Sequence, residues 1–102
     1  MKRMVKYRIK PGRVQENEEA VAAVYAELSR TRPEGLRYAT FRLEDGHSFV
    51  HIVSHESPGG GNEALTSLPS FKAFVAGIRE RCDEPPVNVE IHEIGAYGFF
   101  GQ

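Results

Sequence analysis

Between residues 4 and 10 apolar and basic side chains alternate, with Val5, Tyr7 and Ile9 on one side and Lys6, Arg8 and Lys10 on the other. A period of two marks a strand with one wetter face. Pro11-Gly12 ends it, because proline brings no ladder donor and glycine allows a sharp turn. The period then lengthens. Val14, Val21, Val24, Tyr25 and Leu28 form one apolar stripe at helical spacing, predicting a helix over 13–31. Glu16, Glu18 and Glu19 in its early turns and Arg30 and Arg32 at its end suit the helix dipole, and Arg32-Pro33-Glu34-Gly35 stops it.

Two alternating segments follow, Leu36–Leu43 and Ser48–His55, flanking Glu44-Asp45-Gly46-His47. Asp-Gly favours a two-residue type I′ hairpin turn. With Asp45 and Gly46 as the loop, Leu43 faces Ser48, Arg42 faces Phe49, Thr40 faces His51 and Tyr38 faces Val53. One sheet face then holds Ala39, Phe41, Leu43, Val50 and Ile52, an apolar set with the character of a packing surface. The other holds Tyr38, Thr40, Arg42, Phe49, His51, Val53 and His55, aromatic but studded with polar groups. Ser57–Asn62 reads as a loop; it lacks the GxxxxGK[ST] pattern of a phosphate-binding loop. A short helical turn is expected over 63–67, and Pro69 suits the first turn of a second long helix. The buried stripe of that helix is Phe71, Phe74, Val75, Ile78 and Cys82. Glu84-Pro85-Pro86 breaks it, and Val87, Val89 and Ile91 alternate with Asn88, Glu90 and His92 in a last strand. The tail Ile94–Phe100 is apolar and aromatic, which points to a partner subunit.

The order strand, helix, strand, strand, helix, strand in 102 residues is a single α+β domain over 1–102, a ferredoxin-like β-α-β-β-α-β with an antiparallel sheet. Helices cover one face of such a sheet; the mixed face carries aromatics and valines, so sheet-to-sheet pairing in a homodimer is expected. Composition narrows the rest. Fourteen acidic and thirteen basic residues give a formal charge of −1, without the concentrated basic field that nucleic acid or a membrane surface requires. The basic start Met1–Lys10 lacks the apolar run of a signal peptide, and no stretch approaches a membrane span of ~20 residues. A cytoplasmic protein is expected. The lone Cys82 excludes a disulfide within the chain and reads as a thiol near a helix end.

Four segments carry a resemblance: Tyr7-Arg8-Ile9-Lys10-Pro11-Gly12-Arg13, Gly35-Leu36-Arg37-Tyr38, Ser48–Ser57 and Leu65–Phe74. With them the chain resembles, over nearly its whole length, the dimeric α+β barrel superfamily, in particular the antibiotic biosynthesis monooxygenase (ABM) domains. The resemblance implies a homodimer and a small planar aromatic or polyketide-like ligand. It also implies an oxygenase needing no cofactor, in which the substrate activates oxygen after losing a phenolic proton. The departures are specific. Where ABM domains often carry Glu and, two residues on, Trp, this chain has Val53 and His55, and it contains no Trp at all. The Asn, Trp and His of the haem-degrading members have no counterparts here, so haem degradation is not expected.

The candidate chemistry gathers on the mixed face. His51 and Tyr38 are the candidate catalytic pair: histidine exchanges protons near neutral pH and a phenol donates a hydrogen bond. Arg42, able to hold a carboxylate or phenolate, joins Thr40, Phe49, His55 and Phe74 as the candidate substrate-binding set. The competing reading makes His51 a structural histidine at a dimer interface, Arg42 the partner of a glutamate across that interface, and Tyr7 a core residue. A metal is not expected, since four residues of strand place His51 and His55 roughly 13 Å apart along the chain. Two functions stand: a cofactor-independent monooxygenase, or a non-catalytic dimeric module that binds a small ligand or stabilises an assembly.

Overall fold

The computed structural model describes residues 1–56 and 63–99; the segment 57–62 that the sequence reads as a loop, and residues 100–102, lie outside them. The elements run β1 Lys2–Arg8, α1 Val14–Thr31, β2 Leu36–Arg42, β3 Ser48–His55, α2 Glu63–Thr66, α3 Pro69–Arg81 and β4 Val87–Ile91. The strands form one sheet in the order β2-β3-β1-β4, with every neighbouring pair antiparallel. This is the ferredoxin-like α+β arrangement that the element order predicts. No helix among the described residues is long and apolar enough to cross a membrane.

β1 begins at Lys2 and closes at Arg8, earlier than the alternation suggested at both ends. Ile9 adds a single bridge to Cys82 before the chain turns through Gly12 at φ 88°. α1 ends where Arg32 takes φ 47° and its N–H donates to the Leu28 carbonyl, which satisfies one of the terminal acceptors. α3 starts at Pro69 without a capping side chain of its own. Glu27 of α1 supplies the acceptor instead, taking the Ser70 N–H at 3.0 Å and the Ser70 hydroxyl at 2.6 Å. That bond locks the two long helices side by side.

The β2–β3 register is the predicted one, Arg42 opposite Phe49 through Leu36 opposite His55. The turn that sets it differs. Type I′ needs positive φ at two consecutive residues, whereas here only Gly46 has it, at 84°. The Gly46 N–H donates to Leu43 O, so Glu44–His47 form a four-residue loop. The Asp45 carboxylate organises it, accepting from the His47 and Ser48 amides and from the Ser48 hydroxyl, and these bonds hold its pKa down to about 2.

The two faces exchange roles relative to the expectation. Helices α1 and α3 cover the mixed face, with Tyr7, Phe49, Val53, Val24, Phe74 and Ile78 in the core between them. No helix among the described residues covers the apolar set, against which Phe99 of the tail lies: Phe41 is 49% exposed, and Val87 and Val89 of β4 join it on that side. The general preference of strand–helix–strand crossovers for one hand, rather than the strand patterns, accounts for the face the helices take. The mixed face tolerates burial because its polar groups find partners in one another. Val75 is 49% exposed, so the buried side of α3 is narrower than its stripe.

Candidate functional site

A cavity of about 270 Å³ opens between the sheet and α3. Alternation along β1 and β3 sends Val5, Tyr7, His51 and Val53 into its floor, while Phe71, Phe74 and Ile78 at helical spacing roof it. Its inner end is closed by buried residues, Tyr7, His51 and Phe74 among them; its outer end is rimmed by the exposed Arg79 and Asn88 and by Arg3. The Arg3 guanidinium donates to Asn88 Oδ1 at 2.8 Å.

His51 lies at the centre of a buried chain of hydrogen bonds. Its Nε2 stands 2.6 Å from the Tyr7 hydroxyl and its Nδ1 2.6 Å from the Tyr38 hydroxyl, with Thr40 Oγ1 at 3.2 Å from Nδ1. Thr40 also bonds the Tyr25 hydroxyl at 2.8 Å. On the other side, Asn17 of α1 donates its side-chain amide to the Tyr7 oxygen at 3.0 Å, and Arg81 donates to Asn17 Oδ1 at 3.1 Å. The direction of this end is fixed by chemistry: arginine can only donate, so Asn17 must accept from it and give its N–H to Tyr7.

Burial dominates the electrostatics. It holds the His51 imidazole down to about 4, so the ring is neutral at neutral pH. The same desolvation lifts Tyr7 and Tyr38 above the ordinary tyrosine range. Arg81 is 5% exposed, and its side-chain contacts among the described residues are Asn17, the Phe74 carbonyl and the Phe74 ring, none of them anionic. Its charge reaches Tyr7 and, on the outside, Glu16. Burial raises the Cys82 thiol, which makes it a poor nucleophile.

Of the residues singled out from sequence, His51, Tyr38, His55 and Phe74 line the cavity. Thr40 stands behind His51, and Phe49 supports Tyr7 by ring stacking at 5.5 Å between centroids. Arg42 is elsewhere: it pairs with Glu18 of its own chain at 2.9 Å on the exposed surface, whereas the competing reading placed its glutamate across a dimer interface. Tyr7 is core, as expected, but its hydroxyl also belongs to the His51 chain. Asn17, Arg81, Arg3 and Arg79 were not singled out. Asn17 and Arg81 carried a signal all the same, since each is a polar residue on an apolar helical stripe, between Val14 and Val21 and after Phe74 and Ile78. No group of three or more His, Cys, Asp or Glu among the described residues is placed to hold a metal ion.

No family model matches the chain, and no curated protein does. Solved structures do. A candidate antibiotic biosynthesis monooxygenase from Nitrosomonas europaea aligns at TM-score 0.74 and 15% identity, over 91% of this chain and 88% of that one. PA3566 from Pseudomonas aeruginosa aligns at 0.72 and 18%, over 92% and 93%. SnoaB, a cofactor-independent oxygenase from Streptomyces nogalater, aligns at 0.68 and 17%, over 95% of each chain. The chain has the fold of the antibiotic biosynthesis monooxygenase structures, as the sequence resemblance implied.

Proposed function

We propose that the protein is a cofactor-independent monooxygenase whose substrate is a small planar aromatic molecule held in the cavity beside His51. The observation that carries the reading is a neutral, buried imidazole held between two phenols at 2.6 Å each, in a cavity otherwise lined mostly by apolar side chains. A cavity of about 150 Å³ takes one benzene ring, so 270 Å³ accommodates two fused rings. The likeness to a cofactor-independent oxygenase supports the same reaction class.

In this reading a hydroxyaromatic substrate loses its phenolic proton through Tyr38 or Tyr7 to His51. The negative charge left on the ligand then favours the imidazolium that burial alone disfavours. The electron-rich ring carbon reacts with O2: its CH2 becomes C=O, one oxygen atom stays on carbon, and the other leaves as water with the two hydrogens. The substrate supplies all the electrons. The protein acts as a homodimer, with the open sheet face around Phe41 and the exposed Tyr97 and Phe99 as its contact surface.

Oxygen uptake with a panel of anthrone- and quinol-type substrates tests this reading. The wild type should consume one O2 per substrate, and His51→Ala should lose turnover while keeping its fold and oligomeric state. Absence of uptake across the panel would leave the non-catalytic binding module as the better account.

A further inference from the structure

The buried chain of hydrogen bonds has a direction, and the direction starts on α3. The Arg81 guanidinium lies over the Phe74 ring at 5.5 Å and against Gly77, and it can only donate. Its Nε gives a hydrogen to Asn17 Oδ1 at 3.1 Å, so the amide nitrogen of Asn17 is the end that faces Tyr7. Turned over, that amide would set two donors against each other. The Tyr7 oxygen therefore accepts from Asn17 at 3.0 Å, and its single hydrogen must go elsewhere. Among the described residues, the other hydrogen-bond partner of that hydroxyl is His51 Nε2, at 2.6 Å.

Nε2 accordingly accepts, and a neutral ring then carries its hydrogen on Nδ1. Nδ1 faces the Tyr38 hydroxyl at 2.6 Å and Thr40 Oγ1 at 3.2 Å, and its hydrogen serves both oxygens, Tyr38 the nearer. Tyr38, which lines the cavity, is left to donate its own hydrogen, toward Thr40 or toward a ligand. The two phenols flank the imidazole at the same distance, yet they are not equivalent.

We propose that Arg81 is a positioning residue for the chemistry at His51: through Asn17 it sets the Tyr7 hydroxyl as a donor to Nε2, keeps the imidazole hydrogen on Nδ1, and so gives the two tyrosines different tasks. Tyr7 carries the substrate's proton inward. As the substrate O–H bond breaks, its proton passes to the Tyr7 oxygen while the Tyr7 hydrogen passes to Nε2. Tyr7 ends as it began, the ring becomes an imidazolium and the substrate a phenolate. Tyr38 donates a hydrogen bond to the ligand and takes no proton from it. The tasks of the tyrosines rest on the proposed oxygenase reading, whereas the place of the imidazole hydrogen does not.

Nitrogen NMR of the histidine rings in the full chain locates that hydrogen at neutral pH, where His51 is uncharged, with His51→Gln identifying its signals. The wild type should show a hydrogen on Nδ1 and a bare Nε2. Asn17→Asp has nearly the same shape, but a carboxylate only accepts. It keeps the Arg81 bond and takes the Tyr7 hydrogen, so the His51 hydrogen should move to Nε2. Arg81→Met frees the Asn17 amide to turn and should leave a mixture of the two forms. With a substrate from the oxygen-uptake panel, Asn17→Asp should lower kcat about a hundredfold and change KM little. A wild-type ring protonated on Nε2, or a hydrogen that stays on Nδ1 in Asn17→Asp, would overturn the proposal. So would an undiminished kcat in that variant once its hydrogen has moved. The expected ring forms without oxygen uptake on any substrate would keep Arg81 as the positioning residue and remove the oxygenase reading instead.

Discussion

Acid should destabilise this protein through His51 before its carboxylates titrate. In the unfolded chain the imidazole takes up a proton as pH falls through 6.5, whereas in the folded protein burial delays protonation to about 4. The unfolded state therefore binds more protons throughout that window, and stability falls as pH falls from about 6.5 toward 4. The difference of 6.5 − 4 = 2.5 units corresponds to about 3 kcal/mol over the whole window, most of it lost by pH 4.5. His51 is 4% exposed, so solvent screening does not shrink the figure. Urea unfolding at intervals between pH 7.5 and 4.5 measures the loss, with His51→Gln in parallel. Glu16, Glu27, Glu56 and Asp45, all held below their ordinary range by hydrogen bonds, titrate in both proteins and cancel. The wild-type curve should fall by about 2–3 kcal/mol more than the variant's across this range. Parallel curves would refute the reasoning, since they would mean that His51 exchanges protons with solvent as freely in the folded state as in the unfolded one.

Two further outcomes are expected. Phe41→Glu on the open sheet face should weaken self-association at least tenfold in sedimentation equilibrium, and removing the residues after Ile94 should weaken it too; a dimer unchanged by both would place the interface elsewhere. Gly77→Ala should destabilise by about 1 kcal/mol in urea unfolding although alanine is the better helix former, because losing the Asn17 bond of Arg81 costs about 1–3 kcal/mol. The added Cβ would stand 2.5 Å from Arg81 Nη1; a net gain in stability would show that the guanidinium moves aside freely.

Much of the fold was legible because it rests on local periodicity. The register survived a wrong turn type for a simple reason: a two-residue loop at 45–46 and a four-residue loop at 44–47 share one midpoint, so every pair sums to the same number. What the strands could not show was the side on which α1 and α3 lie. The apolar set of Ala39, Phe41, Val50 and Ile52 looked like the inside but is covered by no helix among the described residues, and much of the polar-aromatic set is buried. Hydrophobicity ranks single residues, and it cannot count the partners that make Tyr38, Thr40 and His51 acceptable inside. The same limit hid half of the site. His51 and Tyr38 share a short hairpin and could be brought together by counting, while Asn17 and Arg81 reach them from two helices, across 64 residues from one another.

The buried chain is better explained by what it does to the cavity than by what it adds to stability. A domain of this size is stable by only ~5–15 kcal/mol in all. It nonetheless buries Asn17, His51 and Arg81 to 0, 4 and 5% exposure. Replacing such a group together with its partners by apolar residues of similar shape is commonly neutral or stabilising, so a core selected for stability alone has simpler solutions at these positions. An apolar core would lack two things: a neutral imidazole held between two phenols, and the positive charge of Arg81 behind it, beside an otherwise mostly apolar space. Each costs desolvation in an empty cavity, a cost that a polar ligand filling it would offset. The arrangement makes physical sense as half of a complex whose other half is the ligand.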